Sequence, residues 1–265
     1  MKGKLSFNLV KYNMRAYQFF SILALSFSLL GITLTSYANT KWETLAPGIQ
    51  YTKLPINKKS DILHAFKINL KQNSLHLITA KQLNQASASV KKLSHYQQGL
   101  IAINGGFFSP NREPLGLRID NGKILSQIRP ISWWSVFYIK NNKPYLNRTN
   151  QYHTNHNISF AIQAGPRLVI KGKVPSLKTG IDERSAICST RDQQVIIAAT
   201  ENSPISTTDL AKVLAASEEN NGLNCYNALN LDGGSSTQLY ARIGDFSLNV
   251  PNFNTVTDAI VVTKR

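Results

Sequence analysis

Ala228-Leu-Asn-Leu-Asp-Gly-Gly-Ser-Ser-Thr237 sets an apolar run against an acid, two glycines and three hydroxyls. The apolar half reads as a buried strand, and the Asp-Gly-Gly that follows stops it abruptly. Two readings of the stop are open. Asp-Gly is a hairpin signal. Equally, successive glycines leave backbone N–H groups bare, so a strand ending this way presents a carboxylate and converging donors to whatever lies beyond the sheet edge. A second strand end has the same build: Leu100 to Ile103 is apolar, and Asn104-Gly105-Gly106-Phe107-Phe108 follows it.

Working outward from these two ends, most of the chain carries strand patterning. Gly48 to Leu54, Ile62 to Leu70 and Ser74 to Ala80 are expected strands, the second alternating between its two faces. Asn121-Gly122 is a type I′ hairpin signal between Leu115–Asp120 and Lys123–Leu125, and Asn141-Asn142 joins Trp134–Ile139 to Pro144–Asn147. Phe160 to Ile170, Arg184 to Thr190, Gln194 to Thr200, Thr237 to Ala241 and Ala259 to Thr263 complete the set. Ala86 to Tyr96 has helical spacing. A second helix is expected from the Ser206-Thr207-Thr208-Asp209 cap to about Asn220, with Gly222 as its terminator. Many strands with two or three helices predict an α+β fold of mixed, mainly antiparallel sheets. No repeat or low-complexity linker divides it, so residues 39–265 are expected to form one domain.

Residues 1–38 read as a signal peptide. Lys2, Lys4, Lys11 and Arg15 precede an uncharged run from Ala16 to Ala38, and Ser36-Tyr37-Ala38 supplies the small residues a signal peptidase needs. Met14 opens a shorter segment of the same layout and is an alternative start. An uncleaved anchor over Phe19 to Leu34 is the rival reading, and would be the protein's membrane attachment. Cleavage near Ala38 would deliver the protein to the periplasm or the extracellular space.

The whole chain carries 30 Lys and Arg against 14 Asp and Glu, a net +16. The leader holds four of those cations and no acid, so 26 against 14 leaves +12 for the remainder. An exported basic protein is expected to meet acidic surroundings, namely anionic envelope polymers such as glycans, phospholipid headgroups or phosphate-bearing substrates; export and the scattered lysines argue against nucleic acid. Oligomeric state has no signature. The chain's two cysteines, Cys188 and Cys225, are expected to form a disulfide in an oxidising compartment.

Several chemistries lack their motifs. G-x-x-x-x-G-K-[ST] and G-x-G-x-x-G are absent, which leaves nucleotide readings without support. Ser235 and Ser236 lie beside glycines, but the G-x-S-x-G elbow is missing and no histidine has the context of a base. His153 and His156 fall in a polar loop with no neighbouring acid or cysteine. Loops rich in acids and carbonyls suit a divalent cation such as calcium, yet no ligand set is evident and no cofactor is required.

Six blocks in order carry a resemblance. They are Ala102-Ile-Asn-Gly-Gly-Phe-Phe108; Pro114-Leu-Gly-Leu117 with Asp120-Asn-Gly-Lys123; Gln163-Ala-Gly-Pro166 with Leu168-Val-Ile-Lys-Gly172; Arg184-Ser-Ala-Ile187; Thr208-Asp-Leu-Ala-Lys-Val-Leu214; and Ala228-Leu-Asn-Leu-Asp-Gly-Gly-Ser235. Together they resemble the phosphodiester glycosidase family over roughly residues 100–263. Cys188 stands where that family often has glycine, Ser185 replaces a threonine, and residues 129–160 match no block.

The resemblance implies hydrolysis of a sugar-1-phosphodiester between the anomeric carbon and the phosphate oxygen. For such chemistry Asp232 is the candidate carboxylate, because the sugar carbon develops positive charge that a carboxylate stabilises or attacks. Arg184 is the candidate phosphate clamp, with pairing to Asp182 or Glu183 as the alternative. Asn104 is expected to reach a sugar hydroxyl or the phosphate, with turn capping as its alternative. Gly105, Gly106, Gly233, Gly234 and Ser235 are expected to donate to phosphate, with Gln163 and Gly165 beside them. Trp133 and Trp134 offer ring faces for a sugar, one of the pair being expected to point inward. Glu113, Asp120, Asp182 and Glu201 are all open as the second carboxylate. Two further readings use the same pocket: a non-catalytic binder of anionic glycans, and a phosphodiesterase that breaks the phosphorus–oxygen bond.

Overall fold

A computed structural model describes residues 39–56, 58, 60–154 and 156–265, which belong to one compact unit. The expected signal peptide lies outside the described residues. No described helix is long and apolar enough to cross a membrane.

Three antiparallel sheets meet on one core. The first holds seven strands in the order Glu43–Ala46, Ile49–Pro55, Ile62–Ile68, Val195–Glu201, Ser185–Ser189, Asn227–Asn230 and Arg167–Val169. The second runs Phe246–Val250, Leu239–Ile243, Ile101–Asn104, Asp258–Lys264 and Asn73–Thr79. The third runs Lys123–Ser126, Arg118–Asp120, Ile158–Ala164, Ser135–Lys140 and Lys143–Arg148. The fold is therefore α+β, with mostly antiparallel sheets and two α-helices among the described residues.

Period-two alternation explains the layering. Phe66 and Ile68 from the first sheet, Ile101 and Ile103 from the second and Phe160 and Ile162 from the third all turn into the shared core. Leu63, Ala65, Ala186 and Ala198 face the other way and are covered by helix Thr207–Ala215 through Leu210, Ala211 and Leu214. Ile78, Ala102 and Val261 do the same under helix Val90–Tyr96, through Val90 and Leu93. Each fully buried Leu, Ile or Phe in this arrangement stabilises it by about 1.5–3 kcal/mol.

Local turn chemistry operates as read. Asn121 and Gly122 have φ of 47° and 78°, and Asn141 and Asn142 have 50° and 59°, the paired positive values of a type I′ hairpin. Cys188 and Cys225 are joined in a disulfide with Cα atoms 5.9 Å apart.

The second helix is shorter than its pattern. It stops at Ala215, and Glu218–Asn220 forms a separate 3₁₀ turn. The returning chain takes its last carbonyls: Leu223 N–H donates to Val213, Cys225 to Leu214 and Asn224 to Ala216. Gly222 packs against the Ala216 carbonyl instead of terminating the helix, so close that a Cβ would overlap it. Strands Glu43–Ala46 and Phe246–Val250 are additions that the sequence reading lacked.

Candidate active site

Asp232 sits where the first two sheets join, just past strand Asn227–Asn230. Its N–H donates to the Gly105 carbonyl at 3.1 Å, and its own carbonyl accepts from Asn104 Nδ2 at 2.8 Å. The carboxylate is partly buried. Its Oδ1 accepts the Gly233 N–H at 3.0 Å, and the Ser236 side chain hydrogen-bonds to it. Burial pushes the Asp232 pKa above the usual carboxylate range, and the negative charge of Asp258 adds to that. The two hydrogen bonds and the Arg118 cation pull it back.

Arg184 lies against the same turn: a Cβ on Gly233 would be 3.8 Å from its Nη1. Its Nη2 donates to the Gly180 carbonyl, while its buried Nε has no hydrogen-bond partner. Neither Asp182 nor Glu183 pairs with it; among the described residues no carboxylate lies within ion-pair distance of this guanidinium. Burial lowers the Arg184 pKa and the more distant Asp182 opposes the effect. A half-buried guanidinium in that position is a ready anion site. Asn230 Oδ1 and Thr237 Oγ1, also buried, have no partner either. Unsatisfied buried polar atoms are rare in native interiors, and of these three residues Arg184 is the one that is also partly exposed.

Other candidates serve the frame instead. Asn104 is fully buried: its Oδ1 accepts from Ser185 Oγ at 2.6 Å and the Gln238 N–H at 3.1 Å, and its Nδ2 holds the Asp232 carbonyl. In this structure the amide expected to meet substrate is engaged within the protein, where it ties the second sheet to the first and holds the Asp232 backbone. Gln163 is likewise saturated, accepting from the N–H groups of Leu117 and Arg129 and donating to the Arg129 carbonyl and Thr149 Oγ1. It holds loop 127–134 onto the sheet rather than facing a ligand. Gly165 lets the Trp133-Trp134 backbone pass, and its carbonyl accepts from Asn230 Nδ2 at 3.3 Å.

The expected glycine donors are also spent internally. Gly105 and Gly106 give their N–H groups to the Asp258 carbonyl and to Asp258 Oδ1. A Cβ at either would overlap Asp258 or Arg118, so glycine is demanded here by close packing. Gly233 N–H goes to Asp232 and Gly234 N–H to the Glu183 carbonyl, with Gly234 in a left-handed turn at φ 57°. Ser235, by contrast, is exposed and accepts from Asn254 Nδ2.

Sequence reasoning missed four participants. Arg118 and Asp258 form a fully buried ion pair at 3.2 Å behind Gly105 and Gly106. Glu183 accepts from Asn252 Nδ2 at 2.6 Å, and Asn252 in turn donates to the Gly234 carbonyl. Burial and neighbouring Asp182 raise the Glu183 pKa against that bond. The one visible signal was the position of Glu183 beside Arg184. The other carboxylates considered are engaged elsewhere: Glu113 with Lys81, Asp120 with the Leu77 N–H and His76, Glu201 with His64. Asp182 alone stays at the turn, close under Gly234. Trp134 is buried, whereas Trp133 is 57% exposed.

A serine–histidine pair is not formed at Ser235 or Ser236. His64, His76 and His95 bond to Glu201, Thr263 and Tyr240 respectively. Among the described residues no group of three or more His, Cys, Asp or Glu side chains is placed to hold a metal ion.

The chain is 34% identical over 85 residues to the uncharacterised protein YigE of Escherichia coli, a stretch that is 28% of this chain and 32% of that one. A hypothetical protein from Synechocystis superposes with a TM-score of 0.61 at 18% identity, covering 86% of this chain and 64% of the other. The chain thus spans about a third of YigE and just under two thirds of the Synechocystis protein. The catalytic domain of zebrafish N-acetylglucosamine-1-phosphodiester alpha-N-acetylglucosaminidase, solved auto-inhibited by its pro-peptide, gives a TM-score of 0.65 at 16% identity over 86% of this chain and 87% of that one. At these identities the two structures establish the fold alone. Residues 97–263, well over half of the sequence, match the family model for phosphodiester glycosidases, and the chain belongs to that family.

Proposed function

We propose that the protein is an exported hydrolase that cleaves a sugar-1-phosphodiester between the anomeric carbon and the bridging oxygen. The observation that carries this reading is the Asp232 carboxylate, held by the Gly233 N–H and Ser236, at a turn whose Gly233 the Arg184 guanidinium approaches, with no carboxylate within ion-pair distance of that guanidinium among the described residues. Export rests on the leader pattern of residues 1–38.

In this reading Arg184 and the Ser235 hydroxyl bind the phosphoryl oxygens. As the carbon–oxygen bond breaks, its electron pair passes to the phosphate oxygen, and the guanidinium neutralises the growing charge. Ionised Asp232 faces the anomeric carbon and meets its positive character. The oxygen of water ends on the sugar, and the phosphomonoester leaves. In the same reading Glu183, held by Asn252, takes the proton of that water.

The zebrafish relative's name makes an N-acetylglucosamine 1-phosphodiester the first substrate to test. Asp232→Asn should lower kcat on it by about 10³-fold or more, with the fold and substrate binding kept. Wild-type kcat in that variant would make Asp232 a turn residue and overturn the assignment.

A further inference from the structure

Five cations, Arg129, Arg148, Arg167, Lys171 and Arg191, line three adjoining cavities of about 460, 260 and 420 Å³. The first two cavities share Ser132 and Arg148, and the second and third share Arg167 and Ile170, so the three form a row walled by common side chains, called the groove below. No Asp or Glu contributes to any of its walls. Among the described residues none of the five cations lies within ion-pair distance of a carboxylate. The lysines of this chain are scattered, but these arginines are gathered.

Arg148 and Arg167 line the same cavity. Arg167 is half-buried, and both its burial and the Arg148 charge push its pKa down. Two like charges facing no acid impose a standing electrostatic cost, which an anion seated between them removes. Guanidinium forks suit phosphate in particular, because two donors can meet two oxygens. Trp133 lines the same cavity with more than half its surface in solvent. A large ring so exposed beside a polar wall offers a flat apolar face of the kind a sugar ring can cover.

One wall of the groove is tied to the strand that runs toward Asp232. Arg167 pairs with Leu229 across the sheet, three residues before Asp232, which is roughly 10 Å at the rise of a strand. Pro166, next to Arg167, accepts the Asn230 N–H through its carbonyl. Trp133 and Arg148 both come from residues 129–160, which bring the ring and one guanidinium to the same cavity.

We propose that the groove is a distal subsite for the next phosphodiester of a polymeric substrate. The substrate class is then a chain of sugars linked by phosphodiesters, with a downstream phosphate on Arg148 and Arg167 and a sugar against Trp133. This rests on the hydrolase reading only for where the reacting bond lies.

The test compares two probes, a synthetic hexamer of N-acetylglucosamine units joined through 1-phosphodiesters and N-acetylglucosamine 1-(methyl phosphate). Wild type should turn over the hexamer with at least tenfold higher kcat/KM than the single diester. Arg148→Gln with Arg167→Gln should erase that advantage and leave the single diester within twofold. Calorimetry of hexamer binding to Asp232→Asn, with and without the two arginine substitutions, needs no turnover. Hexamer binding that depends on the arginines, with no hydrolysis of either probe by wild type, would sustain the subsite and overturn the hydrolase reading. Equal turnover of both probes, or hexamer binding indifferent to the arginines, would overturn the subsite while leaving the hydrolase in place.

Discussion

Replacing Arg118 by Met tests the frame behind Asp232. The Arg118 side chain is fully buried and makes five hydrogen bonds: Nε to Asp258 Oδ1, Nη1 to the carbonyls of Leu115, Leu117 and Gln163, and Nη2 to the carbonyl of Phe107, all between 3.1 and 3.2 Å. Met keeps volume and removes every donor. Asp258 would keep only the Gly106 N–H and the Thr257 hydroxyl around a carboxylate with no exposure. Breaking a buried pair from one side costs about 3–5 kcal/mol. At 2–4 °C per kcal/mol for a domain of this size, the melting temperature should fall by roughly 6–20 °C. Circular dichroism melts measure it. Asp258→Asn has a second readout, because Asp258 raises the Asp232 pKa while Arg118 lowers it. Losing the negative neighbour and keeping the positive one moves the acid limb of kcat/KM to lower pH. A melting change under 2 °C in Arg118→Met, or an acid limb in Asp258→Asn that stays or rises, would refute this account of the frame.

Three further outcomes are expected. The Cys188–Cys225 bridge closes a loop with a sequence separation of 37, for which loop-closure entropy gives about 4 kcal/mol; the double alanine variant should lose most of that in urea unfolding, and a loss below 1 kcal/mol would contradict it. Arg184→Lys should raise KM for a phosphodiester more than it lowers kcat, since a point charge keeps the attraction but not the fork; an unchanged KM in steady-state kinetics would remove the clamp. Because the folded pKa of Asp232 lies above its unfolded value of about 3.9, its ionisation costs stability that is absent below the unfolded value and complete above the folded one. Asp232→Asn should therefore melt higher than wild type at pH 7 and converge with it near pH 3; a lower melting point at pH 7 would reverse the sign.

What was legible in the sequence was local. Asn121-Gly122 and Asn141-Asn142 announce their hairpins because the backbone conformation they need is a property of those residues themselves. The acid and glycines after Leu231 likewise located the strand end. The roles of polar residues around it were not legible, because their partners are distant in the chain. Asn104 finds Ser185 81 residues away and the Asp232 carbonyl 128 away, and Arg118 finds Asp258 across 140. Before those contacts are known, a buried amide that positions a site looks the same as one that touches substrate. Gly105 and Gly106 misled for the same reason: their bare backbone is used to admit Asp258 and Arg118, not an anion. The early end of helix Thr207–Ala215 also comes from outside the helix, where Leu223 to Cys225 return to its last carbonyls.

The central claim is that Asp232 and Arg184 serve cleavage at the anomeric carbon. Hydrolysis of an N-acetylglucosamine 1-phosphodiester in ¹⁸O water, with mass analysis of both products, tests it most directly. The account predicts the heavy oxygen in the sugar and none in the phosphomonoester. Label in the phosphate, or binding of the diester without turnover, would contradict it.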